Sequence, residues 1–219
     1  MERFHTDIFD RLASEKQERI LKIAINHFAV KGFLNSRIKE IALEAGISYG
    51  SMYSYFPTKD DLLRTIIIRN IKFQKKLFSE TINDKDDTYT NLEHFFELSL
   101  KAAEENPDLV AIWRDIAQSY HTKFLSEIVE LETEALSTIR DLIHEGIKEG
   151  FLAQDILIEA SSYVIDSISS ELLSSFVSEQ NKEKKKLFFG TKSNALIVKE
   201  IMVIVRKMLP RRETNGTNI

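Results

Sequence analysis

Residues 37–62, RIKEIALEAGISYGSMYSYFPTKDDL, constrain the fold more than any other stretch, because helical periodicity starts, stops and restarts there in quick succession. Ile38, Ile41, Ala42 and Ala45 recur at helical spacing and predict the buried face of a short first helix. Ser36 stands just before it as an N-cap candidate. Gly46 supplies the left-handed conformation that ends this helix without a Cβ clash. Ile47 returns to the core and Ser48 can cap the next helix, in which Met52 and Phe56 lie one turn apart and face inward. Tyr49, Gly50, Ser51, Tyr53 and Tyr55 are then left to face outward or sideways. After Pro57, Thr58 and Asp61 form a capping-box-like pair, with Asp in place of the usual Glu or Gln. Lys59 falls at the positive N-terminus of a third helix, where charge and dipole both attract an anion.

Two short helices joined by a tight turn are the outline of a helix-turn-helix. A second helix with three tyrosines and no charge suits entry into a DNA groove. Phenol hydroxyls reach phosphates or base edges there, and glycine permits close approach. The alternative is a pair of ordinary short amphipathic helices with half-buried tyrosines.

Residues 16–63, KQERILKIAINHFAVKGFLNSRIKEIALEAGISYGSMYSYFPTKDDLL, resemble the DNA-binding domain of TetR-family transcriptional regulators. The resemblance is carried by Ile20, Ala24 and Phe28, then the Lys31-Gly32-Phe33 break. It continues through Ile41-Ala42, Ala45-Gly46-Ile47-Ser48, Met52-Tyr53, Tyr55-Phe56, Lys59 and Leu62. It implies DNA contacts from Ser36, Arg37, Ser48, Tyr49, Gly50, Ser51, Tyr53, Tyr55 and Lys59. Tyr49 stands where many members of that family carry a lysine, and Arg37 where many carry a small hydroxyl residue. One phosphate charge is thereby lost and another restored nearby, so the operator sequence does not follow from the family.

Composition bounds the remaining possibilities. The 219 residues are 43% hydrophobic and 29% charged, enough to bury a core and stay soluble. The absence of cysteine excludes disulfide staples, thiolate metal sites and cysteine nucleophiles. MERFHTDIFDRL intersperses acids and bases without an apolar run, unlike a secretory signal. The most apolar run, residues 195–209, is interrupted by Lys199, Glu200, Arg206 and Lys207 and is shorter than the roughly 18 residues of a membrane span. A cytoplasmic protein without membrane association is expected. The net charge of −4 opposes a DNA-binding reading, since dedicated binders are often basic. Located charge softens the objection: Lys31, Arg37, Lys39 and Lys59 face only Glu40 and Glu44 across residues 31–59, while acids gather later, as at Asp84, Asp86 and Asp87.

Beyond residue 65 the chain reads as helix after helix, giving an all-α fold of about nine helices. Thr90 and Glu93 predict a capping box, and Asn106-Pro107 marks another start. A long amphipathic helix over 124–148 ends at Gly150, a further helix runs from Asp155 to about residue 179, and Pro210 stops the last. NKEKKKLFFGTK reads as a basic connection between the last two. The acids of NDKDDTYT lack EF-hand spacing and read as a solvated loop. The expected organisation is a DNA-binding domain over 14–74 with its reading head at 37–56, an effector-binding and dimerisation domain over 75–210, and a flexible tail over 211–219.

Residues 160–176 mix serines with apolar residues, and 195–209 is apolar around most of its circumference. Core burial explains both. The resemblance implies instead that these two helices pair with their copies in a second chain, although the serines could also form a half-exposed face. A homodimer would place two reading heads about 34–36 Å apart, or a multiple, on a near-palindromic operator. The resemblance also implies a mostly apolar effector pocket among the middle helices. Its candidates are Phe96, Trp113, Tyr120, Phe124 and Tyr163, with His121, Asp166 and Ser167 as polar groups; aromatic stripes of this kind are otherwise core.

Catalysis finds little support. Beyond the first few residues, Asp141 to His144 is the one carboxylate–histidine pair at the i, i+3 spacing of a di-metal bundle, and Gln118 to His121 is a poor substitute. Gly-x-Ser-x-Gly, His-Glu-x-x-His and phosphate-cradling glycine loops are absent. His27, on the apolar side of the first helix, reads as a packing residue. The expectation is a dimeric, ligand-released DNA-binding repressor with no metal or other cofactor. The alternative is a helical protein–protein interaction module without DNA binding.

Overall fold

The computed structural model of the chain describes residues 3–83, 86–118 and 124–213. Eleven helices occur among them: α1 (Asp7–Asp10), α2 (Ser14–Asn35), α3 (Ile38–Glu44), α4 (Tyr49–Tyr55), α5 (Lys59–Thr81), α6 (Thr88–Glu105), α7 (Pro107–Gln118), α8 (Leu125–Lys148), α9 (Ile158–Ser174), α10 (Glu179–Phe189) and α11 (Asn194–Met208). Extended pairing among the described residues is limited to one isolated antiparallel bridge, Leu152 with Arg211. The all-α expectation is borne out. The two helices beyond the expected nine are α1 and α10. Residues 181–189, read as part of a connection, belong to α10 because Ser178 accepts from the Asn181 amide at one end and Gly190, at φ 63°, stops the other.

Several boundaries follow their local signals. Ser48 accepts from Ser51 N at 3.0 Å, Gly46 adopts φ 67°, and Asp61 N donates to Thr58 Oγ1 at 3.1 Å. Two caps differ from expectation. α6 begins at Thr88 because Asp87, not Thr90, is the cap, its carboxylate accepting from Thr90 N at 2.8 Å. Ser36 does not cap α3: its hydroxyl turns back onto α2 and hydrogen-bonds His27 O and Gly32 O.

The described residues fall in two compact units, one within Met1–Gln74 and Asn106–Glu130, the other within Lys75–Glu105 and Leu131–Ile219. α7 thus belongs with the helix-turn-helix, outside the 14–74 span expected from the sequence. It packs along α2. In this first unit Ile20, Ala24, Phe28, Ile41, Met52, Phe56, Leu62 and Leu63 are buried together with Phe124. Helix α2 is interrupted at Gly32, whose φ 74° and ψ 157° only glycine adopts readily. The break frees backbone groups, and α7 supplies a partner: Asp115 Oδ2 accepts from Phe33 N at 2.9 Å. His27 is buried as expected, its Nε2 2.7 Å from Glu44 of α3.

The second unit has one core of Leu92, Phe95, Phe96, Ile139, Ile143, Ile165, Ile197, Val198, Ile201 and Val205, among others. α6 is its central element, packed by both α9 and α11. Ser161, Ser162 and Ser169 of α9 are buried whereas Ser167 and Ser170 are exposed, so the serines divide between an inner and an outer face. Beyond α11 the chain continues to pair: Ala153 N donates to Pro210 O at 2.9 Å and Arg212 N to Phe151 O at 3.1 Å. Residues 211–213, expected in a flexible tail, are therefore partly tied down. No helix among the described residues is long and apolar enough to cross a membrane.

Asp115→Ala leaves the Phe33 amide without its acceptor at the α2 break. Its expected cost is about 1–3 kcal/mol in equilibrium denaturation, with Asp115→Asn recovering much of it through the remaining side-chain oxygen.

Candidate nucleic-acid interface

Helix α4 has seven residues, too few to persist alone in water, so its shape is imposed by what it packs on. Met52, Tyr55 and Phe56 form its buried side. Ser48 closes the N-terminal end. On the opposite side Tyr49 is 52% exposed and Tyr53 39% exposed. Their rings meet edge to face, with centroids 4.9 Å apart, and the Tyr49 hydroxyl donates to that of Tyr53 at 3.3 Å. The hydrogen bond to Tyr49, with burial second, raises the Tyr53 pKa above the ordinary phenol range, so Tyr53 keeps its proton at neutral pH. The pair is an ordered, amphipathic and uncharged surface. Gly50 and Ser48 beside it are exposed and Ser51 is half-exposed. A Cβ built on Gly50 meets only Ser48 Oγ, at 3.9 Å, so the fold itself does not require glycine there.

The structure moves two candidates off the surface. Ser36 is buried, its hydroxyl spent on α2 carbonyls. Tyr55 is 7% exposed and packs against Phe9, with centroids 6.0 Å apart. Lys59 is half-buried, and its role is richer than an open anion site. Its ammonium donates to Phe33 O at 2.7 Å, Ser36 O at 3.1 Å and Leu34 O at 3.2 Å, and lies 4.4 Å from the centre of the Phe33 ring. A cation there satisfies carbonyls at the C-terminal end of α2. Any phosphate at Lys59 must share the ammonium with them. Arg37, by contrast, is exposed, 3.8 Å from Glu40 in a surface pair. Glu40 is itself held below the ordinary carboxylate range, chiefly by its hydrogen bond with Lys31. Ser54, not singled out from the sequence, is also exposed on α4, one turn from Gly50, whose carbonyl accepts its hydroxyl at 3.0 Å.

The expected effector residues scatter. Trp113 and the fully buried Phe124 lie in the first unit, where Phe124 meets Phe33 edge to face at 5.3 Å. Phe96 is buried in the core of the second unit. Asp166 is half-buried. Tyr163 is 69% exposed and Ser167 is exposed, its hydroxyl donating to Tyr163 O, so these two α9 residues do not line the interior of their unit. Tyr120 and His121 lie outside the described residues. The second unit does contain a cleft of about 720 Å3, bordered by Lys75, Phe78, Ile82, Asp86, Asp141, Leu142, Glu145 and Glu149 among others. None of the expected residues that are described borders it. Among the described residues no group of three or more His, Asp or Glu is placed to hold a metal ion.

Residues 20–66 match the family model for bacterial regulatory proteins of the tetR family. This segment is a TetR-family domain. Among TetR-family relatives, the repressor KstR2 of Mycobacterium tuberculosis strain H37Rv is 24% identical over 154 residues, covering 68% of this chain and 77% of KstR2. YerO, an HTH-type regulator of Bacillus subtilis, is 52% identical over 50 residues, 23% of this chain and 17% of YerO. The structure of Bacillus subtilis FadR in complex with stearoyl-CoA superposes with a TM-score of 0.71 at 16% identity, covering 88% of this chain and 98% of that one. That of KstR2, described as a ketosteroid transcriptional regulator, gives 0.67 at 20% identity, covering 92% and 97%. At such identities the two structures establish the fold alone, and the family model covers the helix-turn-helix within it.

Gly50→Ala separates interface from fold. It should leave thermal stability unchanged or raise it by up to about 1 kcal/mol, alanine being the better helix former. If α4 is the helix that meets base edges, the same variant should change sequence preference in a gel-shift titration, because a methyl group is added on its exposed side.

Proposed function

We propose that this TetR-family regulator is a homodimeric, ligand-released repressor whose α4 enters the major groove of a near-palindromic operator. The observation that carries the reading is the Tyr49–Tyr53 pair, ordered and exposed on an uncharged helix whose other side is buried. Tyr49, Tyr53 and Arg37 face phosphates in this reading, and Ser48, Gly50 and Ser51 come nearest the base edges. Lys59 contributes mainly by fixing the end of α2, and Ser36 and Tyr55 act from within by supporting the reading head. With few cationic contacts on an acidic chain, affinity rests on hydrogen bonds as much as on charge.

Dimerisation through α9 and α11, the two helices on either side of α10, is supported by apolar side chains left exposed on both: Tyr163 and Val164 on α9, and Leu196, Val203 and Ile204 on α11. The effector is a small molecule with a large apolar body. Its release of DNA requires different affinity for the DNA-competent and DNA-incompetent arrangements of the dimer. The stearoyl-CoA bound to FadR and the ketosteroid of the KstR2 description share such a body. The acidic cleft of the second unit disfavours a polyphosphate head group, since four carboxylates face one lysine there. The apolar part of those ligands is therefore carried over and the coenzyme is not. The protein acts in the cytoplasm in this reading, where its operator lies.

The test is selection of bound fragments from genomic DNA, followed by titration of a selected duplex at several salt concentrations. Binding should weaken with salt, by about 0.9 log unit per phosphate contact per decade. Tyr53→Phe should lower affinity for all duplexes several-fold, and Arg37→Ala should reduce the salt slope by about one. Lys59→Ala is the less clean probe, because it also strips α2 of its capping ammonium. Absent or salt-independent binding would instead favour a protein-docking module.

A further inference from the structure

The first residues of the chain lie outside the matched family segment, which begins at residue 20, yet they are built into the reading head. Helix α4 ends with orphan carbonyls, as every helix does. Thr6 satisfies two of them: its amide donates to Tyr55 O at 3.0 Å and its hydroxyl to Ser54 O at 2.7 Å. Three residues on, Phe9 is fully buried, with its ring 4.7 Å from that of Phe56 and 6.0 Å from that of Tyr55. Arg69 of α5 lies 5.4 Å from the centre of the Phe9 ring on the other element it touches. A polar cap and an apolar wedge thus grip the C-terminal end of the helix whose exposed side carries Tyr49 and Tyr53.

We propose that Thr6 and Phe9 are positioning residues for DNA reading. They form a clamp that fixes the end of α4, so that operator discrimination depends on a segment preceding the helix-turn-helix. The proposal rests on the assignment of α4 as the DNA-reading helix. Its physical content is that a seven-residue helix frays at its unsupported end. Fraying swings the tyrosines relative to the groove, and base contacts that need exact placement suffer more than phosphate contacts that do not.

The experiment uses the full chain and two readouts. Thr6→Val keeps the shape and removes the hydroxyl donor, Thr6→Ser keeps the hydroxyl, and Phe9→Ala removes the wedge. Amide hydrogen exchange without DNA is followed at residues 52–56, with α6 and α11 as internal references. The affinity ratio between a selected genomic duplex and an unrelated one is then measured at fixed salt. Thr6→Val should speed exchange at the end of α4 by about fivefold, the worth of one hydrogen bond, without moving the references. It should lower the affinity ratio by a similar factor with an unchanged salt slope, and Thr6→Ser should restore both. Wild-type exchange in both Thr6→Val and Phe9→Ala overturns the clamp, as does faster exchange with undiminished discrimination. A wild-type chain that discriminates no duplex overturns the DNA-reading assignment instead, and exchange at residues 52–56 still decides whether the clamp holds the helix.

Discussion

The burial of Met52, Tyr55 and Phe56 beneath α4 is the constraint from which the first unit takes its form. A helix of two turns has no stability of its own to spend on recognition. Anchored on one side, it can present the other as a fixed surface. Ser48 closes its beginning, Thr6 its end, and Phe9 fills the space behind it. In the proposed reading, the exposed side is then free to be chosen for DNA without regard to folding. That freedom accounts for two tyrosines and a glycine where a plain surface helix would carry charge.

The same division of labour extends to the neighbouring elements. The Gly32 break in α2 exposes backbone groups close to the reading head, and three side chains from different parts of the chain satisfy them. Ser36 turns its hydroxyl back, Lys59 reaches from α5 and Asp115 from α7. α7 is distant in sequence from the helix-turn-helix but is hydrogen-bonded to its first long helix. A displacement of α7 on effector binding would therefore be felt at Phe33, two residues from the end of α2. Two-state coupling of this kind needs such a contact, because packed helices shift between discrete arrangements and do not deform continuously.

What could be read from the sequence was local. Gly46, Ser48, the Thr58–Asp61 pair, Pro107, Gly150 and Pro210 each mark a boundary through conformational preference or capping, and the helices between them follow from periodicity. What could not be read depended on partners far away in the chain. Tyr55 looked outward because Met52 and Phe56 already supplied an inner face, and only Phe9, 46 positions earlier, shows why it is covered. α1 is too short to carry a periodic signal. The charged composition of 179–189 hid a helix without any buried residue. Ser36 and Lys59 have the chemistry of DNA contacts, and the α2 break claimed their donors first. Tyr163 and Ser167 were placed toward a pocket, but Ser161, Ser162 and Ser169 of α9 pack inward and leave the face with Tyr163 and Ser167 outside.

The most direct measurement is tyrosine footprinting by mild nitration or iodination, read residue by residue with mass spectrometry, with and without a saturating amount of a genomically selected duplex. Tyr49 and Tyr53 should react readily in the free protein and become strongly protected on the duplex, while Tyr55 and Tyr89 stay unreactive in both states. Equal reactivity of Tyr49 and Tyr53 with and without bound DNA would contradict the assignment of α4 as the element that enters the groove.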